Sequence, residues 1–400
     1  MRILQLSNKA PYPANDGSSI AIYNLAEGLA DNGVELHLLT INTKKHFKPD
    51  ELVPDPFKEK THYTSVYQNT DTSAAGAFVN LFSGQSYFVS RFFFKAFEIQ
   101  IVRRLKAHAF DIVQIEGVFL ATYIPVIRRH SKARIVIRAH NLEHQIWERH
   151  LAAERNPLKK MYLGLQNKRL KHFELDAFSN ADAIVTITDA DRKNILELVP
   201  HRSVYTCVTG INLGSYRKVE APSHPGTLFH FASMDWMPNV EAVNWLLEHV
   251  WPEVLKQIPN ARLVLAGKHM PEKFKRRGNQ NLMVTEHVNS SAEFYKTYDI
   301  MLVPLFSGSG LRIKLVEGLA YGKAIITTRI GAEGISYTDH KDLVIADDAE
   351  TFTAAIVSLL KDPGRKQELQ MHARLLAEQY FDYKKTAADL LVFYRQLLLP

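Results

Sequence analysis

Short apolar runs rich in β-branched residues recur along this chain, separated by stretches whose apolar positions repeat at helical spacing. In the first half the runs predict strands at Ile3–Ser7, Val34–Thr40, Ile112–Ile115, Ile135–Ala139, Ala183–Thr188 and Ser203–Val208. In the second half they predict strands at Leu228–Ala232, Leu263–Ala266, Leu282–Val284, Ile300–Pro304, Ala324–Thr327 and Leu343–Ile345. Helical patterns lie between them, at Ser19–Asn32, Pro157–Ser179, Pro238–Gln257, Ala349–Lys361 and Pro363–Gln379. Continuously apolar strands alternating with helices predict parallel sheets covered on both faces. Two groups of about six strands predict two such sheets, an α/β chain of two Rossmann-like domains.

The alternation pauses in the polar, Pro- and Gly-containing stretch Gly214 to Gly226, which predicts a linker at 214–226. A first domain then covers 1–213, a second 227–380, and 381–400 forms a last helix that returns to the first domain. Residues 42–75 are polar and irregular and predict loop. In open parallel sheets ligands bind beyond the carboxyl ends of the strands, so two facing sheets predict a site in the cleft between domains.

Composition narrows the class. A chain of 400 residues suits two domains, and 46% hydrophobic with 23% charged residues is globular. The single cysteine, Cys207, excludes an intrachain disulfide and predicts a reducing compartment. Met1 to Ser7 reads as a strand rather than a signal peptide, and no apolar run approaches the roughly 20 residues that span a bilayer. A cytoplasmic protein is expected. The net charge of +7 is uneven: residues 1–215 carry 27 Lys+Arg against 21 Asp+Glu, and residues 216–400 carry 22 against 21. The basic half points to an anionic partner, or to a solubilising bias with no partner at all.

The stretch from Pro304 to Gly322 carries the most chemistry. A strand runs into a loop containing Gly308, Ser309, Gly310 and Leu311, then into a helix bearing Arg312, Lys314 and Glu317. Glycines before a helix start leave backbone N–H groups and the positive end of the dipole open to an anion. Arg312 and Lys314 add positive charge, and Glu317 can accept hydrogen bonds from hydroxyls. Phosphate plus sugar hydroxyls describes a nucleotide-sugar. The plain alternative is an ordinary helix start with a surface Lys314–Glu317 pair, worth a few tenths of a kcal/mol, on the order of 0.2–0.5.

Other candidates follow predicted strands. Gly17 permits close backbone approach, with Ser18 and Ser19 available to cap a helix, although no GxGxxG pattern is present. His140 lies just past a strand and can bond a hydroxyl or phosphate or carry a proton; the alternative is a loop histidine held by backbone. His144 is four residues on, but Glu143 does not stand where an HExxH zinc motif needs it, so no metal is expected. Glu116 ends a strand and can orient an acceptor hydroxyl or cap the next helix. In the second half Asp235 and Asn239 flank Trp236 after one strand, and His287 and Val288 follow another, where backbone groups read a base edge. The stretches Ser86–Lys106 and Pro157–Phe173 mix aromatics with Lys and Arg. They read as an anionic-membrane interface or as helices with a core stripe and a basic outer face. No nucleic-acid-binding module is recognisable.

Taken together, these motifs resemble glycosyltransferase family 4. The segment 300–334, through Gly331-Ala332-Glu333-Gly334, resembles its donor-binding signature. Pro11 to Gly33, His140-Asn141, Thr209 to Asn212 and Ser233 to Asn239 follow in the family's order. The resemblance implies a retaining enzyme of the GT-B architecture that takes a nucleoside-diphosphate-sugar without a metal or other cofactor. By position, Glu317 matches the second glutamate of the family's Glu–seven residues–Glu motif, the ribose contact. Ser309 stands eight positions earlier, where the sugar-contacting glutamate is expected, as in a subgroup reading Gly-Ser-Gly-x-Arg-x-Lys. The usual Arg and Lys contacts to the diphosphate are missing around Ser233–Asn239, which leaves Arg312 and Lys314 to supply that charge, while the acceptor-domain histidine matches His140. The implied partners are the donor, a lipid-linked or saccharide acceptor for envelope or exopolysaccharide synthesis, and an anionic membrane surface at the inner face of the plasma membrane. A nucleotide-sugar epimerase of the same architecture and a non-catalytic nucleotide-sugar binder remain as alternatives.

Overall fold

The computed structural model describes residues 1–14, 16–71, 73–200, 202–216, 224, 226–308 and 310–399. They form two compact units, Met1–Gly210 with Tyr383–Pro400, and Ile211–Asp382. The chain changes unit at Gly210, ahead of the polar stretch 214–226. Of that stretch, residues 217–223 and 225 lie outside the described residues. Leu213–Ser215 is a single 3-10 turn inside the second unit.

The first unit holds seven parallel strands: β1 (Arg2–Ser7), β2 (Glu35–Thr43), β3 (Thr64–Gln68), β4 (Ile112–Glu116), β5 (Arg134–Ala139), β6 (Ala183–Thr186) and β7 (Ser203–Thr206). Their order is β3-β2-β1-β4-β5-β6-β7. Six of these coincide with the predicted runs. β3 corrects the reading of 42–75 as loop: Thr64, Ser65, Val66, Tyr67 and Gln68 form a half-exposed edge strand, which needs no apolar run. Both faces of the sheet are covered, because Leu4, Leu6, Val113, Ile115, Ile135 and Ile137 enter one core and Ile3, Leu36, Leu38, Ile112 and Val136 the other. The last helix, Tyr383–Leu398, lies in this second core against the helix Gly17–Asp31. The approach is close: a Cβ on Gly28 would meet the Tyr383 carbonyl oxygen at 2.5 Å.

The second unit holds β8 (Thr227–Phe231), β9 (Arg262–Ala266), β10 (Leu282–Thr285), β11 (Ile300–Val303), β12 (Ala324–Thr327) and β13 (Val344–Ile345), ordered β10-β9-β8-β11-β12-β13 and parallel throughout. All six match predicted runs. The helical stretch at 238–257 is not one regular helix: Met237–Trp245 and Trp251–Gln257 are joined by a π turn at Leu246–Val250. Two α/β units with parallel sheets agree with the class expected from the chain's patterning.

Candidate functional site

At the carboxyl edge of the first sheet, β4 and β5 pair so that Glu116 lies opposite Arg138, and β1 brings Ser7 against Glu116 on the other side. Side chains two apart on a strand share a face, so Gln114 and Glu116 point the same way, and His140, just past the end of β5, reaches Glu116 at this edge. Glu116 is 1% exposed and has four partners. Gln5 Nε2 donates to Oε1 at 2.7 Å, and Gln114 Nε2 donates to the same oxygen. Arg138 Nη1 reaches Oε2 at 3.3 Å, and His140 Nε2 lies 2.6 Å from it. Burial alone would favour the neutral acid. The Arg138 guanidinium and the bonds from His140 and Gln5 outweigh it and hold the carboxyl at about 2. With Glu116 an anion, Nε2 of His140 carries the hydrogen, so in the neutral ring Nδ1 is the lone-pair acceptor. The network continues inward: Tyr394 of the last helix donates to Gln114 Oε1 at 2.5 Å.

This edge opens into a cavity of about 370 Å³, lined by Ser18, Glu116, His140 and Asn141 together with Lys9, Lys45, His46 and Arg91. Glu143 also lines it, and here burial and the neighbouring Glu174 carboxylate push the acid up to about 7. Glu174 is fully buried; it accepts the backbone N–H groups of Glu143 and His144, and bonds His144 Nδ1 at 2.5 Å. Glu174 therefore holds the start of the helix Glu143–Ala153, and His144 is committed to it. The helix after β1 is capped by Asp16, whose carboxylate accepts from Ser19 N and Ser19 Oγ. That corrects the expected serine cap. Ser19 is buried, while Gly17 and Ser18 stay exposed at the helix start.

At the carboxyl edge of the second sheet, the loop after β11 turns through Gly308 (φ +103°) and Gly310 (φ +83°) into the helix Ile313–Ala320. The positive φ values require glycine, and a Cβ on Gly308 would come within 2.7 Å of the Trp236 ring. Trp236 belongs to the loop after β8, the neighbouring strand. Arg312 stacks over that ring at 5.3 Å, donates to the Gly310 carbonyl at 2.8 Å and faces Glu333 at 3.8 Å. It is the N-cap residue, and among the described residues no side chain caps the helix, so the first-turn N–H groups keep their anion-facing capacity. Lys314 lies 2.8 Å from Glu317 and 4.8 Å over the Phe231 ring. Tyr216 donates to Glu317 at 3.2 Å. The loop and the first turns of its helix thus gather two cations, a carboxylate and a helix start with no side-chain cap among the described residues.

The profile described as Glycosyltransferase Family 4 matches residues 15–214, and that of Glycosyl transferases group 1 matches 225–362. The chain belongs to glycosyltransferase family 4. It is 22% identical to an uncharacterized 44.6 kDa protein of the cps region of Klebsiella pneumoniae, over 97% of this chain and 98% of that one. Its fold is similar to sucrose-phosphate synthase of Thermosynechococcus elongatus, with a TM-score of 0.71 and 17% identity over 99% of each chain. It is also similar to Anabaena HepE in complex with UDP, with a TM-score of 0.65 and 12% identity over 99% of this chain and 100% of that one. The architecture is that of a GT-B glycosyltransferase.

The remaining nominated residues of this transferase divide. Asn239 Nδ2 donates to the Ser233 carbonyl at 2.7 Å, which fixes the loop rather than presenting the amide. Asp235 is exposed beside Trp236. His287 and Val288 follow β10, three strands from β11 in the sheet order, so the loops they and Gly308 occupy are far apart along the edge. Leu311 is half-buried, and Ser309 lies outside the described residues. Of the two basic-aromatic stretches, the first is largely core: Phe88, Val89, Phe92, Ile101 and Leu105 are buried. Phe93 and Ile99 stay exposed there, the second stretch exposes Leu158 and Met161, and Phe78 and Phe82 are exposed on the neighbouring segment, whose Asn80 and Leu81 carbonyls accept from Arg169. Among the described residues no helix is long and apolar enough to cross a membrane.

Sequence reasoning missed Arg91, Lys45, His46 and Glu143. They sit on separate segments, and no spacing signals that they share a cavity. A further group, Glu35, His37 and His108, brings possible metal-ligand atoms within 4.8 Å of one another. It lies at the amino-terminal edge of the first sheet, and Glu35 there is paired with Arg2 at 2.7 Å.

Proposed function

We propose that this transferase moves a sugar, with retention of anomeric configuration, from a nucleoside-diphosphate-sugar to a hydroxyl acceptor in envelope or exopolysaccharide synthesis. The observation that carries the reading is the second-unit loop, where Gly308, Gly310, Arg312 and an uncapped helix start converge beside Glu317. Breaking the anomeric C–O bond leaves negative charge on the diphosphate, and Arg312, Lys314 and the helix start stabilise it. No metal is assigned to that role. Glu317 would take the ribose hydroxyls, and backbone groups at His287–Val288 the base; three strand spacings, roughly 14 Å, suit an extended nucleotide.

In this reading the first-unit cavity receives the acceptor. Its hydroxyl attacks the anomeric carbon from the face the diphosphate leaves, and its proton passes to the departing phosphate oxygen. Nδ1 of His140, aimed by Glu116, accepts a hydroxyl of the sugar and orients it. UDP and UDP-glucose in the HepE complexes support a nucleotide-sugar donor, and the cps-region relative supports an envelope polysaccharide. The exposed Phe78, Phe82, Leu158 and Met161, beside Lys159 and Lys160, suit a peripheral contact with an anionic inner membrane surface.

The test is incubation with UDP-, GDP- and ADP-sugars, with and without a mixed saccharide and lipid-linked acceptor pool, followed by NMR of the anomeric protons. Acceptor-dependent product with the donor's configuration is expected. An inverted product, or epimerised donor in the absence of acceptor, contradicts the reading.

A further inference from the structure

The charges lining the first-unit cavity do not balance. Each carboxylate on its wall is already engaged or suppressed. Asp71 pairs with Lys44 at 2.5 Å, Glu116 with Arg138 and His140, and burial with Glu174 pushes Glu143 up to about 7. Lys9 pairs with Asp16 at 2.8 Å. Arg91 and Lys45 remain, and among the described residues neither has a carboxylate partner.

Arg91 is held in place without being satisfied. Its guanidinium lies 5.3 Å from the Phe92 ring centroid, and its Nε is buried with no hydrogen-bond partner. On the same wall, Thr43 is 4% exposed and its Oγ1 likewise has no partner. Both residues line the cavity, and a buried donor left without a partner costs free energy, on the order of 1–3 kcal/mol, until a rearrangement or a ligand satisfies it. His46 completes the group; partial burial, with Lys9 and Lys45 nearby, holds it below the usual imidazole value. These residues come from the end of β2, the segment after it and the C-cap of the short helix Tyr87–Ser90, so the fold rather than local sequence assembles them.

We propose that this cavity binds a phosphate or diphosphate group on the acceptor, with Arg91 as its fork, Lys45 as a further cation, the neutral His46 imidazole as an N–H donor and Thr43 as a hydroxyl donor. A planar guanidinium backed by ammonium and hydroxyl donors matches the several oxygens of a phosphate. The inference rests on the transferase reading for the word acceptor. The anion site itself does not depend on it. A soluble sugar phosphate and a lipid-linked diphosphate share this chemistry.

Calorimetric titration of the full chain, without donor, separates them: glucose 6-phosphate against glucose, and geranyl diphosphate against geraniol. In at least one pair the phosphorylated member binds at least tenfold more tightly, and the pair showing this identifies the source. Lys45→Glu and Arg91→Gln each remove at least tenfold of that preference. Lys45 is exposed, so Lys45→Glu keeps the wild-type melting temperature. Arg312→Gln, in the other unit, leaves the preference intact. Equal binding within both pairs, a preference that survives both cavity substitutions, or one lost only with Arg312→Gln overturns the proposal. Because no turnover is read, failure here is distinct from failure of the transferase reading, which shows as no nucleotide-sugar chemistry.

Discussion

The carboxyl edges of the two sheets handle charge in opposite ways. At the first, Glu116 is buried among Gln5, Gln114, Arg138 and His140, and every partner is supplied by the protein. At the second, the helix start is uncapped, Lys314 is partly exposed, and Arg312 rests on an exposed Trp236. The Glu116 carboxylate is fully partnered before any ligand arrives and holds the His140 ring by its Nε2. The second edge has backbone donors still to be satisfied, as a site for a transient anion requires. Substitutions should therefore damage folding at the first edge and chemistry at the second.

The largest effect is expected at the first edge. Glu116→Gln strands the fully buried Arg138 and should lower unfolding stability by about 3–5 kcal/mol, read by denaturant titration. The same carboxyl sets an acid limb. Its folded value of about 2 lies below the ordinary 4.5, so its stabilisation is complete above 4.5 and is lost as pH falls through about 2. At the second edge, Arg312→Ala or Lys314→Ala should remove about 2–4 kcal/mol of transition-state stabilisation in kcat/KM while leaving the melting temperature near that of the parent.

Glu143 sharpens the contrast within the first unit, because its folded value of about 7 lies above the ordinary 4.5. It should cost stability progressively as pH rises from 4.5 to 7. Glu143→Gln is then expected to raise stability at pH 8 by about 1–2 kcal/mol and to change little at pH 4, followed by thermal melts across that range. The smallest effect is at the far end of the network. Tyr394→Phe leaves Gln114 Oε1 without its donor and should cost about 1 kcal/mol.

The sheets and the glycine loop after β11 were readable in the sequence because buried parallel strands are apolar throughout and because Gly308, Gly310, Arg312, Lys314 and Glu317 lie in one short segment. β3 was not, since an edge strand such as Thr64–Gln68 is paired on one side only and can stay polar. Glu116 and His140 were found from their places at strand ends. Their mutual bond, and the buried Arg138 that holds Glu116 ionised, depend on the β4–β5 register. Arg91, Lys45 and His46 went unassigned because only the tertiary fold brings their separate segments to one cavity, and Glu143 was weighed only against a zinc motif; the commitment of His144 to Glu174 likewise depends on the packing of two helices. Of the two basic-aromatic stretches, Ser86–Lys106 puts Phe88, Phe92 and Phe97 in the core, whereas Pro157–Phe173 exposes Leu158 and Met161.

The central claim, that the second-unit loop holds a nucleoside diphosphate through its cations, is tested most directly by calorimetry. Wild type, Arg312→Ala and Lys314→Ala are titrated with UDP, GDP and ADP and with the matching nucleosides. One diphosphate should bind the wild type well above its nucleoside and lose at least tenfold in each variant, with nucleoside binding unchanged. Equal diphosphate affinity in all three proteins would contradict it.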